Sequence, residues 1–590
     1  MFDDKVLLNS RLRLIRIALM LSMLILFSGL LYYQVFRSDK YVKLATSNKL
    51  RVVRLPARRG RILDANGVLL ANNVLTFDIV GYPLDLRKEG ILSGFADLLA
   101  RHGIPLSEKT LEKRIKKQYV VPYRSVVLLR NLTLPQVTDL VGDPEFPPQL
   151  FHLPVWRRTY PVGSLVCHVL GYVGEISERE LKELGQDGET SRFVGGDVIG
   201  KGGVEHFYED RLQGYPGHKV LEVDARGRFV RVLSGRKPVP GEDLSLTLDL
   251  GAQKFAADLL GERRGAVIAM DLKTGGVKVL YSSPTFDLNP LAWGVSSKEW
   301  KDLVSDPHRP MMNRAISGTY SPGSVYKPVV AYAALADGVV TEKTTFFCSG
   351  KFELGNQVFR CHRRWGHGNE DLVGALRDSC DVYFYEVGQR VGIDSLVRWG
   401  KVFGIGLKTG IDLPGESEGN IAGREWKERR FGDRWYKGDT VNYSIGQGFL
   451  LMTPIQILRQ FGALATGKLL RPHLFSDAAS APVDLALSPK FLKVVQNGMA
   501  AVVKPKGTGW RAGIYGVSVA GKTGTVQNSG EDHAVFGGYA PAENPRYAAV
   551  AFVEEGLHGS TAAAPIVGQL LAYLVKNDKG GPGGASGKGE

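Results

Sequence analysis

The stretch "YSPGSVYKPVVAYAALADG", Tyr320 to Gly338, runs a Pro-Gly turn into an apolar segment of helical character, and its reading decides how the second half of the chain is organised. A spacing of three puts Ser324 and Lys327 on one face, one turn apart, so the amine can reach the hydroxyl. Pro328 works against this, because a residue before proline is biased away from helical angles; a distorted first turn over Ser324–Ala336 is expected. Ser-x-x-Lys is weak alone: a second copy, Ser234 to Lys237, is followed by Pro238 and Pro240 and has no helix to hold the same geometry.

Outward from this stretch, Lys-Thr-Gly occurs at Lys273, Lys408 and Lys522. Lys273 falls in a hairpin turn before Ser324, and Lys408 in a loop after "KVFGIG". Only Lys522 to Gly524 follows an alternating apolar strand, in "GVSVAGKTGTV", with further strands in "HAVFGGYAP" and "YAAVAFVEEG". Between the Ser-x-x-Lys and this copy lies Ser379-Cys380-Asp381, in a segment that reads as helix, "NEDLVGALRDSCDVYFYEVGQRVG".

The chain has 590 residues, more than one core can organise, and its 44 % hydrophobic and 23 % charged content excludes a mainly disordered protein. The 71 glycines point to a turn-rich architecture. A net charge of +15 suits nucleic acid, anionic lipid or an anionic polymer and does not choose among them. Ile17–Phe36, "IALMLSMLILFSGLLYYQVF", has no charge over twenty residues and reads as an uncleaved membrane anchor rather than a signal peptide. With few residues ahead of it, the N-terminus is expected inside and the bulk of the chain outside, which argues against nucleic acid as partner. Basic residues on both flanks, Lys40 and Lys43 among them, leave the positive-inside rule uninformative. Beyond the anchor, "RRG" and "NG" turns in Arg51–Asn73, helices in "LPQVTDLV" and "SERELKELG" and a strand pair in "HKVLEVDARGRFVRVLSG" make one extended non-catalytic module. The run "REWKERRFGDRWYKG" reads as a surface loop, "AAAPIVGQLLAYLVKN" as a closing helix, and the Gly-rich tail as mobile.

The ordered set Ser-x-x-Lys, Ser-x-Asp, Lys-Thr-Gly resembles the penicillin-recognising serine acyltransferases. With "GKGGVEHFYEDRLQGYPG", "NRAISGTYSPGSVYKP", "RRWGHG", "GIDLPGESEGN" and "SIGQGFLLMTPIQ", the chain is similar to the class B penicillin-binding proteins, and within them to the elongation transpeptidases of rod-shaped bacteria. The resemblance implies an α+β protein with a short cytoplasmic N-terminus (1–15), a transmembrane anchor (16–37), a dimerisation-like pedestal (48–249), and a transpeptidase domain (250–576) whose antiparallel sheet is flanked by helices. A flexible tail (577–590) completes it. It implies an inner-membrane, single-pass protein with its bulk in the periplasm. There it would crosslink peptidoglycan stem peptides during elongation, be inhibited covalently by β-lactams, and work with a SEDS-type glycan polymerase and elongation scaffold proteins. Ser324 would be the nucleophile, Lys327 its base, Ser379 a proton relay and Asp381 an orienting group. Lys522, Thr523 and Thr525 beside Gly524 would receive the terminal carboxylate of the stem peptide, and the backbone N–H groups of Ser324 and Thr525 would form the oxyanion hole. Lys327 must be partly neutral to act as base, through burial or the nearby charge of Lys522. A septal transpeptidase, a hydrolase and a non-catalytic β-lactam-binding scaffold stand as alternatives. No cofactor is needed for the acyl transfer.

Cys348, Cys361, His367 and Cys380 follow the spacing Cys-x12-Cys-x5-His-x12-Cys, a Cys3His set suited to structural zinc. Disulfides or plain burial are the other readings. If Ser379 and Asp381 face the cleft, Cys380 points away from it and ties the motif to the "CSGKFELGNQVFRCHRRWGH" excursion. His362 is the weaker ligand candidate, since its neighbour Cys361 points elsewhere.

Overall fold

The computed structural model describes residues 3–39, 50–86, 90–118, 125–184, 192–223 and 229–578. Lys40, Lys43 and the Gly-rich tail from residue 579 lie outside these. The chain divides into two compact units, residues 1–58 with 214–240, and 59–213 with 241–590.

In the first unit a helix over Asp3–Leu31 continues as a π-helical turn, Tyr32–Phe36. From Leu12 to Phe36 it is long and apolar enough to cross a membrane, and none of it is buried. Met20, Leu26 and Phe36 stand over 70 % exposed, as lipid-facing side chains would be. The same unit holds a three-stranded antiparallel sheet of Leu50–Leu55, Gly217–Val223 and Phe229–Arg236. The expected strand pair is its second half, and the spurious Ser234–Lys237 motif runs along its last strand and past its end.

The second unit begins with a sheet built on the long strand Leu69–Gly81, which pairs antiparallel with Val126–Leu132 and Leu150–Thr159. The Asn66-Gly67 turn joins Ile62–Leu63 to this strand, with Gly67 at φ +80. Helices Leu134–Gly142 and Glu178–Glu183 start with capping boxes, Thr133 with Gln136 and Ser177 with Glu180. At the base of this region Glu205, fully buried, accepts from Arg59 Nε and Arg158 Nε at 2.6 Å each and from the Tyr160 hydroxyl at 3.2 Å. Arg59 also donates to Glu209 at 2.7 Å. A lone carboxylate in that interior would be expensive; two guanidiniums and a phenol satisfy it.

The rest of the unit is built on α1 (Leu250–Leu260), β1 (Gly265–Asp271), β2 (Val277–Ser283), α2 (Lys327–Ala336), α3 (Asp381–Val391), α4 (Pro454–Thr466), α5 (Pro489–Val502), β3 (Ala520–Val526), β4 (His533–Ala540), β5 (Tyr547–Val553) and α6 (Ala564–Lys576). The five strands form one antiparallel sheet in the order β2-β1-β5-β4-β3, so β3 is an edge. Its strands read as near-continuous apolar runs because both faces are covered. On one face Ala266, Ile268, Met270, Val550 and Phe552 pack against residues of α2 and α4; on the other Val267, Ala269, Ala549, Ala551 and Phe536 pack against α1 and α6. Gly537 permits the close approach of α4: a Cβ there would lie 2.2 Å from the Phe461 ring.

Two expectations change. "REWKERRFGDRWYKG" is not a loop: Arg424–Phe431 is a helix, and Lys427, 6 % exposed, bonds Asp439 at 2.7 Å. The segment around Ser379 is two helices, Leu372–Arg377 and α3, broken where Ser379 takes a left-handed φ of +56.

Candidate active site

Ser324 lies in a 3₁₀ turn, Gly323–Tyr326, from which α2 continues at Lys327. Lys327 is helical, φ −53 and ψ −35, so the bias imposed by Pro328 is overcome. Pro328 falls in the first turn of α2, where an N–H has no intrahelical partner to lose. The distortion appears one turn earlier as the 3₁₀ segment, whose three residues per turn keep Ser324 and Lys327 in line. Gly323, at φ +58, donates to Gly446 O at 2.8 Å, and a Cβ on it would meet Thr525 O at 2.9 Å. The nucleophile turn is thus pressed against the strand carrying Lys-Thr-Gly.

Lys327 is fully buried, and its Nζ donates to Asp381 Oδ1 at 2.7 Å, to Ser379 O at 2.8 Å and to Ser379 Oγ at 3.3 Å. Lys522, also fully buried, donates from Nζ to Ser379 Oγ at 2.9 Å and to Thr523 O at 3.1 Å. One hydroxyl therefore stands between two amines. Among the described residues, Lys327 Nζ forms no hydrogen bond to Ser324 Oγ; in this state the amine is engaged by Asp381 and Ser379.

The electrostatics of this floor are unequal. Burial, and then the charge of Lys327, push the Lys522 amine well below the usual lysine range. Burial also pushes the Asp381 carboxyl up, but the Lys327 charge and the hydrogen bond from His362 outweigh it, leaving the group below the usual carboxylate range. Asp381 is thus held towards its charged form, and Lys522 is the amine driven towards neutrality.

Thr523, Gly524 and Thr525 sit on the outer strand β3, paired with Phe536, Val535 and Ala534. The Thr523 hydroxyl donates to Thr508 Oγ1 at 3.0 Å, and Thr508 Oγ1 donates to Arg377 O at 3.2 Å. Thr508 joins the Lys-Thr-Gly strand to the segment before Ser379; no local sequence signal marks it. His362 was weighed only as a metal ligand. Its backbone N–H donates to Asp381 Oδ2 at 2.9 Å, with its Nδ1 3.5 Å from the same oxygen, and this contact with Asp381 pushes the imidazole up to about 9. Alternation against Cys361 was the available signal for its direction. His533 packs edge-on against Tyr320 and accepts from Glu555 N at 3.0 Å.

Cys348, Cys361, His367 and Cys380 converge, with donor atoms all within 4.8 Å of one another. His367 Nδ1 lies 3.6 Å from the sulfurs of both Cys348 and Cys361. Hydrogen bonding between Cys380 and Cys361 pulls the Cys361 thiol down and pushes Cys380 up, the behaviour of sulfurs crowded round a shared proton. All four cysteines are free. The cluster could hold a metal ion, and Cys380 faces it while its neighbours Ser379 and Asp381 face the lysines.

Residues 265–572 match the family model described as "Penicillin binding protein transpeptidase domain", and residues 54–246 the "Penicillin-binding Protein dimerisation domain". The chain is 33 % identical over 584 residues to the peptidoglycan D,D-transpeptidase MrdA of Haemophilus influenzae, covering 93 % of this chain and 89 % of that protein. A penicillin-binding protein (PBP2) from Helicobacter pylori, solved in complex with MreC, superposes with a TM-score of 0.82 at 32 % identity, covering 89 % of this chain and 99 % of that one. A chain from a structure titled "Structural coordination of polymerization and crosslinking by a peptidoglycan synthase complex" matches with a TM-score of 0.70 at 28 % identity, covering 95 % and 98 %.

Proposed function

The chain belongs to the class B penicillin-binding proteins, and from that premise we propose that it is a peptidoglycan D,D-transpeptidase of cell elongation, acting through an acyl-enzyme on Ser324. The observation that carries this reading is the Ser379 hydroxyl held between Lys327 and Lys522. Two lysines and one carboxylate leave one positive charge too many for a buried site. In this reading the relay starts with the proton on Lys327 and with Lys522, which burial drives towards neutrality, as the neutral partner. A proton passed from Lys327 to Ser379 Oγ, with the Ser379 proton passed on to Lys522, exchanges the two states. Lys327 is then the neutral base that takes the Ser324 proton as Oγ attacks the carbonyl of the penultimate D-alanine. As the amine departs, Ser379 Oγ gives it a proton and Lys522 re-protonates Ser379, which leaves Lys327 charged and Lys522 neutral as at the start. Asp381 holds Lys327 in place, and His362 holds Asp381. Thr523 and Thr525, with Lys522, receive the terminal carboxylate; the N–H groups of Ser324 and Thr525 receive the oxyanion.

Residues 48–249 serve as the pedestal and 250–576 as the transpeptidase domain, with the N-terminal helix as a single-pass anchor in the inner membrane and the bulk in the periplasm. A SEDS-type polymerase and an elongation scaffold are the partners; the relatives solved with MreC and in a synthase complex support this. The Cys3His cluster takes zinc. Tetrahedral zinc with Zn–S of about 2.3 Å and Zn–N of about 2.0–2.1 Å puts sulfur and nitrogen roughly 3.6 Å apart, the spacing of His367 Nδ1 from Cys348 and Cys361. Four protein donors leave no position for substrate, so the ion would brace the Ser379 break and take no part in acyl transfer.

The test is intact-mass analysis and peptide mapping after incubation with a labelled penicillin, beside Ser324→Ala. A single adduct on Ser324, absent from the variant, is expected. Well-folded protein that takes no adduct, or takes it elsewhere, would overturn the reading.

A further inference from the structure

Helix α4 carries two buried glutamines one turn apart, Gln456 and Gln460, and they are not alike. Gln456 is satisfied throughout: its Oε1 accepts from Thr453 N at 2.9 Å, and its Nε2 donates to Leu407 O at 2.9 Å and to Glu418 O at 2.8 Å. It ties the start of α4 to two loops. Among the described residues the Gln460 side chain makes one hydrogen bond, from Nε2 to Val325 O at 2.8 Å, and its Oε1 has no partner. An amide buried on those terms costs more than an apolar side chain of its size, so the stability of the fold does not account for it. What distinguishes it is the identity of its partner, the carbonyl one residue past Ser324.

That carbonyl lacks a donor for a reason visible in the sequence. The turn Gly323–Tyr326 is 3₁₀, with Lys327 N donating to Ser324 O, and the same i to i+3 pattern would pair Val325 O with the nitrogen of residue 328. Residue 328 is proline and has no N–H. Helix α2 starts only at Lys327, past Val325. A carbonyl can only accept, so the amide nitrogen of Gln460 is the group that faces it. The start of the turn is held separately, by Gly323 N on Gly446 O at 2.8 Å. Without Gln460, the next backbone donor open to Val325 O is Val329 N, and that i to i+4 bond would rewind the turn as α-helix. Three residues advance about 360° in a 3₁₀ helix and about 300° in an α-helix, so Ser324 would swing roughly 60° about the helix axis away from Lys327. We propose that Gln460 is a positioning residue for acyl transfer: its amide replaces the donor that Pro328 lacks and keeps Ser324 in line with Lys327. This rests on the Ser324 reading above. Gln460 acts through the turn alone, so it governs how fast Ser324 reacts and not how tightly the ligand is held beforehand.

The test uses the full chain in detergent micelles and a labelled penicillin. Acylation is followed against penicillin concentration, which separates the acylation rate constant from the dissociation constant of the complex that precedes it. Gln460→Met, similar in size and without a donor, is expected to lower the acylation constant about tenfold and to leave the dissociation constant within about twofold. Its thermal midpoint is expected at or above that of wild type, since a buried Oε1 without a partner is removed. Pro328→Ala supplies an N–H opposite Val325 O; combined with Gln460→Met it is expected to recover most of the lost rate. An unchanged acylation constant in Gln460→Met, a loss carried by the dissociation constant, or a double variant no faster than Gln460→Met would overturn the inference. A wild-type chain with no Ser324 adduct brings down the underlying reading, whereas a normal wild-type adduct with no recovery in the double variant brings down the positioning role alone.

Discussion

Lys522 is buried without a carboxylate partner of its own, and that has a thermodynamic sign. In the unfolded chain it binds a proton up to its ordinary value near 10.5; in the fold it gives the proton up at lower pH. The unfolded state therefore binds more protons between the two values, and the fold loses stability as pH falls through that window. Lys522→Met is expected to raise the melting temperature at neutral pH, with the gain shrinking as pH approaches 10.5; a pH-independent gain would refute this account. Asp381 has the opposite character. Asp381→Ala leaves the Lys327 charge buried and unpaired and should cost about 3–5 kcal/mol by denaturant unfolding. Much of this was legible residue by residue, because Ser324, Lys327, Ser379 and Lys522 announce themselves by type, order and spacing. That the Lys522 amine is driven towards neutrality was not, since that depends first on burial, which only the tertiary packing sets.

Elements were legible where burial is symmetrical and obscure where a break is local. The runs at β1, β4 and β5 could be read as strands because a sheet covered on both faces leaves few polar positions. The break at Ser379 escaped because its left-handed turn carries no glycine or proline to mark it. The helix at Arg424–Phe431 escaped because its charges read as solvated, whereas Lys427 folds back onto Asp439. Gly537→Ala should cost about 1–3 kcal/mol, as its methyl meets the Phe461 ring and α4 must shift; a thermal midpoint equal to wild type would contradict the packing described. Cys361→Ser should lower the metal content of purified protein, lower the melting temperature, and slow penicillin acylation while preserving the adduct at Ser324. Metal bound equally by the variant would exclude the Cys3His set as its site.

For the whole molecule, the cluster around Glu205 collects Arg59 and Arg158 from positions far apart in the chain. Nothing near any of the three residues marks this, because the contact is purely tertiary. Glu205→Ala should cost about 3–5 kcal/mol, because Arg158 loses its buried carboxylate partner and Arg59 keeps only Glu209, while Arg61→Ala on the exposed Arg61–Asp243 pair should leave the unfolding midpoint nearly unchanged. Equal effects would mean the buried cluster is not what holds this region.

The strand order β2-β1-β5-β4-β3 sets Gly265–Asp271 beside Tyr547–Val553 at the centre of the sheet. During synthesis the first of these emerges long before its neighbour exists. The transpeptidase domain is thus a nascent chain with an unfilled central seam until Tyr547–Val553 has left the ribosome, dependent until then on whatever shields an unpaired apolar strand.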